Sequence, residues 1–168
     1  LRSQASGNSS PAEVLQKVNR QLYPDIKEDM FISMAYVILD YTNGGITLCR
    51  AGHDAPIFFD HATGTAVAVK PPGMVVGIDS GSVFDRITGD FPLSLKRDDC
   101  LLLYTDGVTE ALDSNGDEFG FDRMIECVRT SAPEGAPAMI TRLIDELRAF
   151  VGAQPQNDDI TLIAIRKT

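Results

Sequence analysis

Apolar and polar positions follow two different periods along this chain. Val14, Leu15, Val18 and Leu22 recur at near-helical spacing behind Ser10-Pro11-Ala12-Glu13. There the serine oxygen can accept from an amide of the first turn, Pro11 needs no amide partner, and Glu13 can reach back as in a capping box. The spacing predicts a packing helix to about Leu22, stopped by Pro24. From Met30 to Tyr41 the residues Phe31, Ile32, Met34, Tyr36, Val37, Ile38 and Leu39 run too continuously for a surface strand, which predicts a buried one. Asn43-Gly44-Gly45 supplies residues that accept positive φ, and Ile46 to Ala51 can return as the second arm of a hairpin. A second hairpin is predicted from Ile57 to Asp60 and Ala66 to Val69 across His61-Ala62-Thr63-Gly64, with further strands at Val83 to Ile87 and Cys100 to Tyr104.

After Asp106 the period lengthens. Phe121, Met124, Ile125 and Val128 mark one amphipathic helix, and Met139, Ile140, Leu143, Ile144, Leu147 and Phe150 mark another. A last strand, Ile160 to Ile165, is entered from the polar loop Gln154-Pro155-Gln156-Asn157-Asp158-Asp159. The order is one helix, about six strands, two helices and a strand. Strands and helices are segregated, so the class is α+β with antiparallel layers rather than a βαβ parallel sheet.

Composition narrows the function. A chain of 168 residues with 43% apolar content buries one sizeable core, so a single domain is expected. Fifteen basic against 24 acidic residues give a net charge of −9. That balance speaks against nucleic acid as a partner, because phosphate neutralisation needs a concentrated basic face. It also implies that an acidic substrate docks by specific contacts rather than by broad attraction. Cys49, Cys100 and Cys127 lack zinc or redox spacing. No apolar run approaches the roughly 18 residues of a membrane-spanning helix, and residues 1–10 are too polar for a signal sequence. The expectation is a reduced, cytoplasmic protein with no membrane partner.

Candidate chemistry gathers at two places. Leu101-Leu102-Leu103-Tyr104-Thr105-Asp106-Gly107 runs an apolar strand into an aspartate, and Asn157-Asp158-Asp159 immediately precedes the final strand. If the two strands are antiparallel, Asp106 and Asp158 share one rim of a sheet. Hard carboxylate oxygens there suit Mg²⁺ or Mn²⁺. Two such ions about 3.5–4 Å apart can turn a water into a nucleophile and offset charge on a phosphoryl group. The competing view makes both of them turn aspartates that hydrogen-bond locally.

The segments Phe31-Ile32-Ser33-Met34-Ala35-Tyr36-Val37-Ile38-Leu39-Asp40, Arg50-Ala51-Gly52-His53-Asp54-Ala55-Pro56, Leu103-Tyr104-Thr105-Asp106-Gly107-Val108-Thr109-Glu110-Ala111 and Asp158-Asp159-Ile160-Thr161-Leu162, in that order, resemble the metal-dependent serine/threonine phosphatases of the PPM superfamily, in their bacterial SpoIIE-type branch. The resemblance implies an antiparallel β-sandwich flanked by helices in α/β/β/α layers, with Mn²⁺ or Mg²⁺ at one end. It assigns metal ligation to Asp106 and Asp158, acting through a metal-activated water, with Gly107 and Asp159 as further candidates. It implies phosphoserine or phosphothreonine on an anti-sigma-factor antagonist as substrate, and an upstream sensory or receiver domain. Members of the branch carry further aspartate ligands upstream of the segment matching Leu1, so the chain is expected to be an N-terminally truncated domain lacking its first strand and helix. Asp79-Ser80-Gly81 and Gly89-Asp90 fall too late in the chain to take those roles. An uncovered sheet edge would then invite a homodimer, domain swapping or a covering partner. The alternative is a pseudophosphatase or regulatory module that binds a phosphoprotein without turnover.

Other residues carry weaker signals. His53 suits proton transfer near neutrality but equally a structural place at a hairpin end, and His61 falls in a turn. Lys70-Pro71-Pro72-Gly73-Met74 has the make-up of a substrate-facing flap, or of a plain loop, since Pro and Gly need no function to occupy one. Glu110 is either a partner of Asp106 or a solvated carboxylate. Asp113-Ser114-Asn115-Gly116-Asp117-Glu118 suggests a calcium loop, but Met124 stands where an EF-hand needs its bidentate glutamate.

Overall fold

Ser10 caps the first long helix as its position predicts, its Oγ accepting the Glu13 amide at 3.0 Å. The computed structural model describes residues 1–5, 7, 9–27, 29–42 and 44–168. In chain order the elements are α1 (Arg2–Ala5), α2 (Pro11–Leu22), β1 (Met34–Asp40), β2 (Gly45–Ala51), β3 (Ile57–Asp60), β4 (Thr65–Ala68), α3 (Phe84–Ile87), β5 (Phe91–Ser94), β6 (Cys100–Tyr104), α4 (Phe121–Ser131), a 3-10 turn (Ala132–Glu134), α5 (Ala136–Val151) and β7 (Leu162–Arg166). They fall into two units: Leu1–His53 with Lys70–Ser94, and Asp54–Val69 with Leu95–Thr168. The fold is α+β, two antiparallel sheets with flanking helices, as expected. Among the described residues no helix is long and apolar enough to cross a membrane.

The first unit carries the three-stranded sheet β1-β2-β5. β1 and β2 pair from Met34 opposite Ala51 to Asp40 opposite Gly45. The expected Asn43 turn residue lies outside the described residues. Leu15 and Ala12 of α2 pack with Cys49 and Ala51 of β2, with Val76, and with Phe84 of α3. Two expectations are corrected here. The strand at Met30–Tyr41 begins only at Met34 and is half-buried rather than buried, because β1 ends its sheet and has a neighbour on one side only. The strand expected at Val83–Ile87 is instead the short helix α3. Asp79 causes this: its Oδ1 accepts the amides of Gly81, Val83 and Phe84 at 2.8–2.9 Å and so winds the chain into a turn. Those amides, Phe84 first, hold the Asp79 carboxyl below its usual range. The missing strand is β5, which contains Pro92, a residue that a sheet tolerates at its edge.

The second unit carries the antiparallel sheet β4-β3-β6-β7. The expected hairpin across residues 61–64 is present as β3 and β4. Alternate residues Ile57 and Phe59 of β3 and Cys100, Leu102 and Tyr104 of β6 point to one face. There they meet Met124, Cys127 and Val128 of α4 and Met139, Leu143 and Leu147 of α5. The two sequence periods therefore converge on one apolar layer between sheet and helices. All three cysteines are free and buried, and burial pushes the Cys49 thiol up to about 12.

Candidate metal centre

The pairing of β6 with β7 places the site. The strands run antiparallel with Tyr104 opposite Leu162, so β6 leaves the sheet where β7 enters it. Asp106 lies two residues beyond one strand and Asp158 four residues before the other, so both stand on the same rim, and both are exposed. The turns that carry them touch: a Cβ on Gly107 would come within 2.5 Å of the Asp159 carbonyl oxygen and 3.3 Å of the Asp158 carbonyl carbon. Only glycine permits that approach. The Thr105 amide donates to Thr161 O at 3.2 Å, the Thr105 hydroxyl donates to Asp159 O at 2.8 Å, and the Thr161 amide donates to Thr105 Oγ1 at 2.9 Å.

Beyond Asp106 the chain turns at once. Val108 is fully buried in the apolar layer and donates its amide to Thr105 O at 3.0 Å, while the Glu110 amide reaches Asp106 O at 2.9 Å. Each aspartate uses one oxygen locally: Asp106 Oδ1 accepts from the Gly107 amide at 3.0 Å, and Asp158 Oδ1 from the Asp159 amide at 2.6 Å. The turn function weighed in the sequence is thus present in both. It occupies one carboxylate oxygen of each and, among the described residues, leaves Oδ2 without a hydrogen bond.

The donors are hard oxygens, the kind Mg²⁺ and Mn²⁺ select, and Mg²⁺ takes only one or two carboxylates while keeping several waters. The residues present therefore fit a divalent cation in kind. Among the described residues no group of three or more His, Cys, Asp or Glu side chains is assembled to hold a metal. The set consists of two carboxylates. Gly107 and Asp158 also line a cleft of about 670 Å³ whose walls include Glu110, Arg148, Gln154 and Gln156. Tyr104 sits beneath the rim, its phenol pushed up to about 12 by burial and then by the nearby Asp54 carboxylate, and so stays neutral.

The other sequence candidates have local partners. His53 Nδ1 lies 3.1 Å from Ser33 Oγ, and its carbonyl accepts from Arg50 Nη1 at 2.8 Å, which fixes the end of the hairpin. The His61 amide donates to Asp99 Oδ1 at 2.9 Å. Of the two readings of Lys70–Met74, the plain loop is the one the contacts favour. Arg50 Nε donates to Pro71 O at 2.9 Å, and Gly73 lies so close to the Arg50 carbonyl that any Cβ would overlap it, so the segment is pinned to β2. Asp113 closes its own turn by accepting the Asn115 and Asp117 amides, with the Asp117 bond first in holding its carboxyl low. Asp90 Oδ1 accepts the Ala12 amide at 2.7 Å and serves the start of α2. Sequence reasoning missed the cleft with Arg148 and the Thr105 hydroxyl. The signal for the latter was available, as a threonine stands at both strand ends, in Tyr-Thr-Asp-Gly and Asp-Asp-Ile-Thr.

Comparison with known proteins adds to this geometry. The family model Stage II sporulation protein E (SpoIIE) matches residues 1–168. Phosphoserine phosphatase RsbU of Bacillus subtilis (strain 168) is 28% identical over 159 residues, 94% of this chain and 45% of RsbU. The chain thus spans less than half the length of that relative. Among solved structures, the SiaA-PP2C domain of Pseudomonas aeruginosa superimposes with a TM-score of 0.80 at 20% identity, covering 98% of this chain and 63% of the other. A manganese-presoaked phosphatase domain of SpoIIE from Bacillus subtilis gives a TM-score of 0.62 at 13% identity, covering 99% and 70%.

Proposed function

The chain belongs to the SpoIIE family, whose members are PPM-type serine/threonine phosphatases, and from that premise we propose that it hydrolyses phosphoserine or phosphothreonine on a signalling protein with Mn²⁺ or Mg²⁺ as cofactor. The observation that carries this reading is the antiparallel β6/β7 pairing, which sets Asp106 and Asp158 on one rim with an oxygen of each unused. These two side chains would hold the cation, with Gly107 and Asp159 beside them. A divalent cation bound there supplies an acidified water and offsets charge on the phosphoryl oxygens. The chain's own part is positional. The Gly107 and Asp159 amides fix the orientation of the two carboxylates, and buried Val108 anchors the turn between them and the core. The adjoining cleft takes the polypeptide on either side of the phosphorylated residue, with Arg148 as its cation.

The same reading gives the substrate as an anti-sigma-factor antagonist and treats both units as one phosphatase domain served by an upstream sensory or receiver domain in the cytoplasm. Pairing of two copies through β1 is supported by its place at the end of a sheet. The test is phosphate release from serine-phosphorylated casein by the natural gene product, with and without Mn²⁺. Asp106→Asn is expected to reduce turnover by more than about a hundredfold, with an unchanged unfolding temperature because the side chain is exposed. Undiminished turnover in that variant contradicts the reading.

A second reading is favoured by the two-carboxylate donor set. The fold would then grip a phosphoprotein without turnover. Binding of phosphorylated casein with no phosphate release at saturating Mn²⁺ would select it.

A further inference from the structure

We propose that Thr105 is a positioning residue whose hydroxyl sets the separation of the Asp106 and Asp158 turns, and thereby the geometry in which a divalent cation is held. The inference rests on the reading of that rim as a cation site and names the group that keeps it in register. A threonine hydroxyl has one proton to donate and lone pairs to accept, and here both capacities are used on the same neighbouring turn. The proton goes to Asp159 O at 2.8 Å, and a lone pair takes the Thr161 amide at 2.9 Å. Among the described residues no other side chain hydrogen-bonds residues 105–110 to residues 154–161. The remaining side-chain bonds of the second turn stay within it, Gln156 Nε2 to Asp158 O at 2.7 Å and the Asp159 amide to Asp158 Oδ1.

The position of the bond matters as much as its partners. The β6/β7 ladder ends at Tyr104 opposite Leu162, with one more backbone bond from the Thr105 amide to Thr161 O, so the main chain orders the strands but stops short of both aspartates. Gln154 to Asp159 are all exposed and have no apolar anchor of their own. The first turn, by contrast, is fastened by fully buried Val108. The Thr105 hydroxyl therefore ties an exposed turn to a fixed one, next to the residues that must converge. Gly107 allows the approach by offering no side chain, and Thr105 holds it. Hydrogen bonds that orient metal-binding groups typically change affinity by about 10–100-fold when removed.

The experiment compares wild type, Thr105→Val and Thr105→Ser in the natural gene product by two measurements, amide hydrogen exchange at Thr161 and calorimetric titration with Mn²⁺. Valine keeps the shape and removes the hydroxyl, whereas serine keeps the hydroxyl. Thr105→Val is expected to exchange the Thr161 amide about tenfold faster or more, leave protection within β6 unchanged, and weaken Mn²⁺ binding by about tenfold or more. Thr105→Ser is expected to restore both. Wild-type Mn²⁺ affinity in Thr105→Val overturns the role of Thr105 alone. Equal weakening in Thr105→Ser does the same, since the hydroxyl would not be the cause. No Mn²⁺ binding by any of the three overturns the cation reading itself and the inference with it.

Discussion

Each of the two units has its own internal means of cohesion, and the means differ. The unit with β6 and β7 is fixed by apolar packing: Phe59, Leu102, Met124, Met139 and Leu143 are essentially inaccessible and come from β3, β6, α4 and α5. The unit with β1 and β2 has a smaller apolar cluster and a long stretch, residues 70–90, with only one short helix. That stretch is fastened by polar side chains to backbone. Asn19 donates to Asp79 O and accepts from the Gly77 amide, both at 2.9 Å, Gln16 donates to the carbonyls of Asp85 and Thr88, and Arg50 holds Pro71. Packing needs volume from regular elements, whereas hydrogen bonds can order irregular chain if each buried polar group finds its partner. The candidate metal centre stands on the packed unit, at the end of β6, which is buried between β3 and β7, and of β7, which pairs with it. Rigid strands beneath exposed turns are the arrangement a cation site needs.

Substitutions should separate the two modes. The largest loss is expected from Phe59→Ala, which empties a fully buried position of the packed unit and should cost about 3–5 kcal/mol in urea unfolding. A loss under about 1 kcal/mol would mean that packing is not what holds that unit. Asn19→Ala should cost about 1–3 kcal/mol, because it strands the Gly77 amide and the Asp79 carbonyl without partners. Its signature is local: amides of residues 77–84 should lose exchange protection while those of β6 and β7 keep theirs. Uniform loss across both units would break the comparison. The smallest effect belongs to the exposed Arg142–Glu146 pair on α5, where Glu146→Gln should change stability by no more than about 0.5 kcal/mol.

The difference between the units also explains what the sequence revealed. Regular periodicity marks elements that pack, so α2, the β3/β4 hairpin, β6, α4, α5 and the final strand were legible from their apolar spacing. The errors fall in the polar-fastened unit. Val83–Ile87 has strand composition, but the outcome was decided by a carboxylate four residues upstream, Asp79, whose three amide bonds no apolar pattern encodes. β5 was hidden by its proline, and the choice between flap and plain loop at Lys70–Met74 stayed open because the arginine that pins the segment lies some twenty positions earlier in the chain. At the site, the rim shared by Asp106 and Asp158 was readable because antiparallel pairing follows from strand order. The threonines at the two strand ends were visible as well, but the bonds from Thr105 to the second turn were not, since a hydroxyl bonding across two loops leaves no periodic trace.

The central claim is that these two aspartates hold one divalent ion between them. It is tested most directly by anomalous diffraction from crystals of the natural gene product soaked in Mn²⁺. An anomalous peak is expected within coordination distance of a carboxylate oxygen of both Asp106 and Asp158, lost in Asp106→Asn. A manganese peak that touches neither residue, or one that survives that substitution unchanged, would contradict it.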